Sequence, residues 1–185
     1  ELFIKYLGAP DDEYHREIAR LWMIAAVCRV FEPGHKFDFS PILYGDQGAH
    51  KSTFVAILAQ HWFGELSADF SNPQKLLEQM QGCWIMEIPE LSSITRAQVE
   101  DVKAFLSGTS TKVRMAYAEK ADRHMRQQVF IGSTNDAQFL VDDTGNRRWW
   151  PVKIVGKINT DLLREEIGMI CGAACQLYLE ERAAK

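Results

Sequence analysis

Residues Gly45-Asp46-Gln47-Gly48-Ala49-His50-Lys51-Ser52-Thr53 carry the spacing G-x-x-x-x-[G]-K-[ST], with His50 where a second glycine is usual. That pattern suits phosphate binding. A glycine-rich backbone lets amide groups point at phosphate oxygens, and the helix that follows adds its positive end. Lys51 would reach the terminal phosphates, and Ser52 would hold magnesium. A side chain at position 50 requires either a negative φ or strain on the order of 1 kcal/mol. Taken alone, the same letters also describe a chance glycine-lysine turn ahead of a helix.

Phosphoryl chemistry needs an acidic group nearby to organise the metal and the attacking water, and Trp84-Ile85-Met86-Glu87-Ile88-Pro89-Glu90 supplies two. Glu87 is the metal-side carboxylate and Glu90 the candidate base; the competing account is a pair of surface carboxylates after an ordinary strand. Asn135, directly after an apolar run, could hydrogen-bond water or the γ-phosphate, or simply form a turn. Arg147 and Arg148 stand beside Trp149 and Trp150, which suits either an arginine finger or arginines stacked on aromatic rings. Lys112, Arg114, Lys120, Arg123, His124 and Arg126, with Tyr117 among them, form the one dense basic stretch. Such a stretch fits DNA-backbone contact or a solvated charge run.

Elements that would position these groups follow from periodicity. Asp11 to Phe31 has an acidic start and apolar residues at helical spacing, ending at Pro33-Gly34. Pro41 to Tyr44 reads as a buried strand entering the loop, and Ser52 to Phe63 as the helix leaving it. Lys75 to Met80 reads as a second helix, and Gly82 to Met86 as a buried strand ending at Glu87. Ile94 to Leu106 is helical by pattern, and Ser107 to Met125 is a loop or exposed hairpin. Gln128 to Gly132 and Trp149 to Val155 complete the strands, and Thr160 to Arg182 forms a closing helix. Strands alternating with helices predict an α/β fold, a largely parallel sheet covered on both faces.

The 185 residues are 46% hydrophobic and 25% charged, which suits one well-buried domain. The apolar stretch Leu21 to Val27 is far too short to cross a bilayer, and the start ELFIKYLGAP has no leader pattern, so the expected location is the cytoplasm. Cys28, Cys83, Cys171 and Cys175 form no C-x-x-C pair and read as buried reduced thiols. A net charge of −4 gives no global attraction to a polyanion and counts against a simple DNA-coating protein, so any nucleic-acid contact must be local.

Taken in order, GDQGAHKSTF, GCWIMEIPEL, KAFLS, the region Arg114 to Tyr117, VFIGSTN and TGNRRWWPV resemble the virulence-associated E family over about Tyr44 to Val152. Those are predicted helicase-like NTPases of phages, plasmids and genomic islands, often joined to a primase, and they are similar to superfamily III helicases within the AAA+ group. The resemblance implies a three-layer phosphate-loop ATPase core over 37–155, with a helical lead-in at 1–36, a last helix at 156–185, and more protein beyond the chain. It implies ATP and Mg2+ as cofactors, single- or double-stranded DNA as partner, and a homo-oligomeric ring, a hexamer being one size. Lys51, Ser52, Glu87 and Asn135 take the loop, acidic-strand and sensor roles. Arg147 and Arg148 would reach a neighbouring subunit's nucleotide, and Lys112 to Arg126 would hold a DNA-contacting hairpin. His50, and Glu87 in place of aspartate, depart from the pattern. A nucleotide switch without turnover and a small-molecule kinase are the alternative readings.

Overall fold

The computed structural model describes residues 1–66, 69–93, 95–114, 119–136 and 146–184. Leu2–Leu7 form α1, which stops at Gly8, a left-handed residue at φ 67° whose N–H donates to the Ile4 carbonyl. Helix α2 spans Glu13–Phe31, and the Asp12 side chain caps it by accepting from the His15 amide at 2.9 Å. Next come β1 (Ser40–Tyr44), α3 (Lys51–Ala59), β2 (Phe63–Glu65) and α4 (Pro73–Met80). Strand β3 covers Ile85–Ile88, and α5 covers Arg96–Ser107 behind a capping box of Thr95 and Gln98. The hairpin β4 (Ser110–Val113) and β5 (Asp122–Met125) precedes β6 (Val129–Thr134), β7 (Trp149–Lys153) and α6 (Thr160–Ala183).

Five strands form one parallel sheet in the order β2-β3-β6-β1-β7. From β1 the chain crosses to the far edge at β2, then returns through β3 to β6. Crossovers of this kind are right-handed, so opposite directions of travel require opposite faces. Accordingly α3 packs on one face with α1, α2 and α6, over Leu43, Ile85, Val129, Ile131 and Val152. Helices α4 and α5 cover the other face, over Ile42, Met86, Ile88 and Phe130. Successive residues of each strand thus serve opposite cores, and β3 and β6 are buried at every position.

Helix α2 is tied to the sheet by two indole donors: Trp22 Nε1–H to the Phe130 carbonyl at 2.9 Å, and Trp84 Nε1–H to the Ala26 carbonyl at 2.8 Å. Trp22 is wholly buried, and its loss to alanine would cost about 3–5 kcal/mol. The segment read as a lead-in therefore forms part of the core beneath the sheet.

Several expectations need correcting. Phe63 does not end the helix after the loop: α3 stops at Ala59, a 3-10 turn follows, and Phe63 opens β2. Within the helical lead-in expected at 1–36, Leu2–Leu7 form a separate short helix ahead of α2. Glu87 is not the end of its strand, since β3 continues through Ile88. Of the four cysteines, Cys28 is buried, Cys83 and Cys171 are half-buried, and Cys175 is exposed, so the thiols are not a uniformly buried set. Ile94, Tyr117, Thr144 and Gly145, named above, lie outside the described residues. Among the described residues no helix is long and apolar enough to cross a membrane.

Candidate functional site

The loop after β1 turns towards the α3 face, and the segment after β3 turns towards the α5 face. Between them lies the carboxyl end of β6, the kind of crevice in which open α/β sheets bind ligands. Gly132 in β6 fixes one wall. A Cβ there would lie 2.2 Å from Leu91 Cδ1 and 2.5 Å from Ile42 Cδ1, so only glycine lets the turn after β3 pack on the sheet.

Within the 45–53 loop, Gly48 has φ 79°, and His50 sits at φ 67° and ψ 33° as the first cap of α3. The backbone keeps the left-handed conformation that glycine would adopt, and histidine is among the side chains that tolerate it, at roughly 1–2 kcal/mol. The side chain of His50 is exposed and makes no capping bond to α3. Asp46, Gln47 and Thr53 complete the loop and the first turn of the helix, and the Ala49 N–H donates to the Asp46 carbonyl at 3.3 Å.

Lys51 Nζ donates to the carbonyls of Gly45 and Asp46, each at 2.9 Å, and to Asn135 Oδ1 at 2.7 Å. All three acceptors are neutral. Burial draws the ammonium below the usual lysine range, while Asp46 and Glu87 act in the opposite sense. Asn135 follows the last residue of β6, which is how an element 84 positions away meets the lysine.

Glu87 is 0% exposed, a buried carboxyl on the α3 side of the sheet. Its Oε1 accepts from Ser52 Oγ at 2.9 Å and from Ser133 Oγ. Burial raises its pKa above the ordinary carboxyl value, against the lowering effect of the two hydroxyls. Its Oε2 has no partner, a state that costs about 1–3 kcal/mol. The unpaired carboxylate oxygen beside the Ser52 hydroxyl fits magnesium, a hard cation that takes one or two such oxygens together with water and phosphate. Ser133 was not foreseen as a member of the site. The signal was there, because in β6 Ser133 lies two residues beyond Ile131 and so shares its face.

Glu90 lies two residues past β3, exposed and at φ 51°, with its carbonyl accepting from the Ser93 N–H and Oγ–H at 2.8 Å each. Arg147 and Arg148 occupy a turn at the start of β7. Trp149 pairs in register with Ser40 at the amino end of β1, so the arginines stand a strand length of roughly 17 Å from the loop at its carboxyl end. They do not meet Lys51 within one chain.

The basic stretch does form a hairpin. Lys112 and Arg123 are directly opposed across its strands, and with Arg114 and Lys120 they are exposed. Arg126 is a correction. It is 4% exposed, its guanidinium stacks 4.2 Å from the Phe105 ring centre, and Nη1–H donates to the Phe105 carbonyl. A side chain sealed under α5 cannot face a DNA backbone.

The virulence-associated protein E-like domain model matches residues 1–185. No curated protein matches the chain. Among solved structures, the apo NrS-1 C terminal region (305–718) superposes with a TM-score of 0.64 at 12% identity, covering 96% of this chain and 44% of that one. A second form of that region gives a TM-score of 0.59 at 13% identity, covering 94% and 42%. At such identity the likeness is one of fold, and the chain spans less than half the length of these neighbours. With its whole length matched, the chain belongs to the virulence-associated protein E-like family.

Proposed function

We propose that the chain is an ATP-binding and ATP-hydrolysing motor domain, helicase-like, that works on DNA during replication of a phage, plasmid or genomic island. The carrying observation is the convergence of Lys51 on Asn135 and of Ser52 on Glu87, at the carboxyl ends of β1, β3 and β6. Family membership supports the replication context.

On this reading the 45–53 amides and the first turn of α3 hold the phosphates. Lys51, held by neutral acceptors, exchanges the Gly45 and Asp46 carbonyls for phosphate oxygens. Ser52 and Glu87 would hold magnesium, which would supply positive charge to offset that on the phosphates. Asn135, released by Lys51, presents its amide to the attacking water, and Glu90 is the candidate base. Arg147 and Arg148 act on the nucleotide of a neighbouring copy in a ring, because their own loop is a strand length away. Lys112, Arg114, Lys120 and Arg123 contact the DNA backbone.

ATP hydrolysis with Mg2+, with and without single-stranded DNA, tests this in the wild type, Lys51→Ala and Glu87→Gln. DNA-stimulated turnover that disappears in both variants is expected. Nucleotide binding without turnover at any protein concentration would instead favour a non-catalytic switch. His50, exposed at the amino end of α3, is the feature that favours that second reading.

A further inference from the structure

The turn between α2 and β1 brings together three metal-ligating side chains that the nucleotide chemistry leaves unused. Cys28 lies in the last turn of α2, Glu32 is its cap residue, and His35 follows the Pro33-Gly34 turn. One ligand atom from each (Sγ, a carboxylate oxygen and a ring nitrogen) lies within 4.8 Å of the other two. Zinc at about 2.0–2.3 Å from each would need them roughly 3.5 Å apart. Small rotamer adjustments of the more exposed Glu32 and His35 close that difference.

We propose that Cys28, Glu32 and His35 form a site for a zinc-class divalent cation, with an open position for water. Sulfur, imidazole and carboxylate form a mixed donor set of the type zinc accepts, and a site of three protein ligands keeps its fourth place open. The Cys28 thiol gives its proton to solvent on binding. Thiolate and carboxylate then balance the two charges of the ion, with His35 neutral.

Two surrounding features suit this occupant. The site sits at the C-terminal end of a 19-residue helix, where the backbone dipole favours a cation. Outside the ligands, the Tyr178 hydroxyl of α6 donates to Glu32 Oε1 at 2.8 Å, and its ring stacks on Phe31 with centres 5.5 Å apart and planes 6° apart. Tyr178 is a positioning residue that orients the carboxylate. The opposing groups are Arg182, which faces Glu32 and Tyr178, and the Arg29 guanidinium, which is engaged by the carbonyls of His35, Phe37 and Gln128. An ion here would clamp α2 to the turn whose Gly34 N–H donates to the Arg126 carbonyl at 2.8 Å, the foot of the basic hairpin.

Cobalt titration of this chain, followed by thiolate-to-cobalt charge-transfer absorption and by zinc competition, tests the proposal. One equivalent is expected, with the band absent in Cys28→Ser and affinity at least tenfold weaker in His35→Ala. Tyr178→Phe should weaken binding on the order of tenfold while keeping the band. A Cys171→Ser/Cys175→Ser double variant should bind as the wild type does. His35→Ala, at a partly exposed position, keeps the test decisive if Cys28→Ser fails to fold. A band that survives Cys28→Ser, one that vanishes in the Cys171/Cys175 double variant, or no saturable binding at micromolar metal overturns the site.

Discussion

Lys51 and Arg126 are both cations that donate to main-chain carbonyls, those of Gly45 and Asp46 for Lys51 and that of Phe105 for Arg126, at opposite ends of the same sheet, and their surroundings set them apart. Lys51 is half-buried in a crevice, with three neutral acceptors that a phosphate can replace. Arg126 is packed between Phe105 and Phe130 before the first residue of β6, and burial brings its pKa down to about 10. Arg29, its neighbour, is bonded to three carbonyls and is likewise brought down to about 10 by burial. The difference lies in solvent access and in what can be exchanged. A cation sealed with carbonyls fixes the fold, and one left at the mouth of a crevice remains available to a ligand.

The comparison breaks most sharply if the sealed cations can be removed. Arg29→Ala would leave three carbonyls without donors and a void, for a loss of roughly 3–5 kcal/mol and a melting temperature lower by about 10 °C or more, read by thermal denaturation. Lys51→Ala should do the converse: turnover falls on the order of 100-fold, about 2.7 kcal/mol of transition-state stabilisation, while stability moves by less than about 1 kcal/mol. An Arg29→Ala protein that melts with the wild type, or a Lys51→Ala protein that unfolds, would erase the distinction.

The exposed arm of the basic region sharpens it. Lys112→Ser with Arg123→Ser should lower the slope of log affinity against log salt for single-stranded DNA by roughly 1.4, since each phosphate contact contributes about 0.7. Folding stability should rise by a few tenths of a kcal/mol, because two like charges no longer oppose each other across the hairpin.

Glu87 offers a smaller effect with a definite sign. Its folded pKa lies above its unfolded value, so between the two the folded state binds more protons and stability falls as pH rises. Glu87→Gln removes that dependence and should melt above the wild type at pH 8, with the gap closing towards pH 4. His50→Gly is the smallest change. Relief of the left-handed histidine, set against the entropy of glycine, leaves a gain of roughly 0.5 kcal/mol in chemical denaturation.

Much of this arrangement was legible before any coordinates. Glu87 and Asn135 could be placed because apolar runs end or break at polar residues, and Lys51 and Ser52 because the loop has a spacing of its own. Strand β2 was not legible, since Phe63-Gly64-Glu65 is three residues long and trails a helical pattern. Helix α1 was not separable from α2 within the expected helical lead-in, because LFIKYL is apolar almost throughout and shows no helical stripe, although Gly8 marks its end. Arg126 could not be told from Lys112 or Arg123 by composition. Its burial depends on Phe105 and Phe130 meeting from separate elements, a tertiary fact with no local signal. The arrangement of Cys28, Glu32 and His35 was hidden for a like reason, since no recognised ligand spacing joins them and they meet only where the turn after α2 folds His35 back.

The sheet order also governs how the chain is assembled during synthesis. The loop strand β1 pairs with β6 and β7, and Ser40 meets Trp149, 109 positions later. At 5–20 residues per second, the strand that carries the loop waits on the order of 5–20 s for its second neighbour to be made. Until β6 emerges, Pro41 to Tyr44 is an apolar segment without a neighbouring strand, open to mispairing, and until β7 emerges it remains an edge. The crevice itself needs Ser133 and Asn135 at the end of β6, so it cannot form until four of the five sheet strands have been translated.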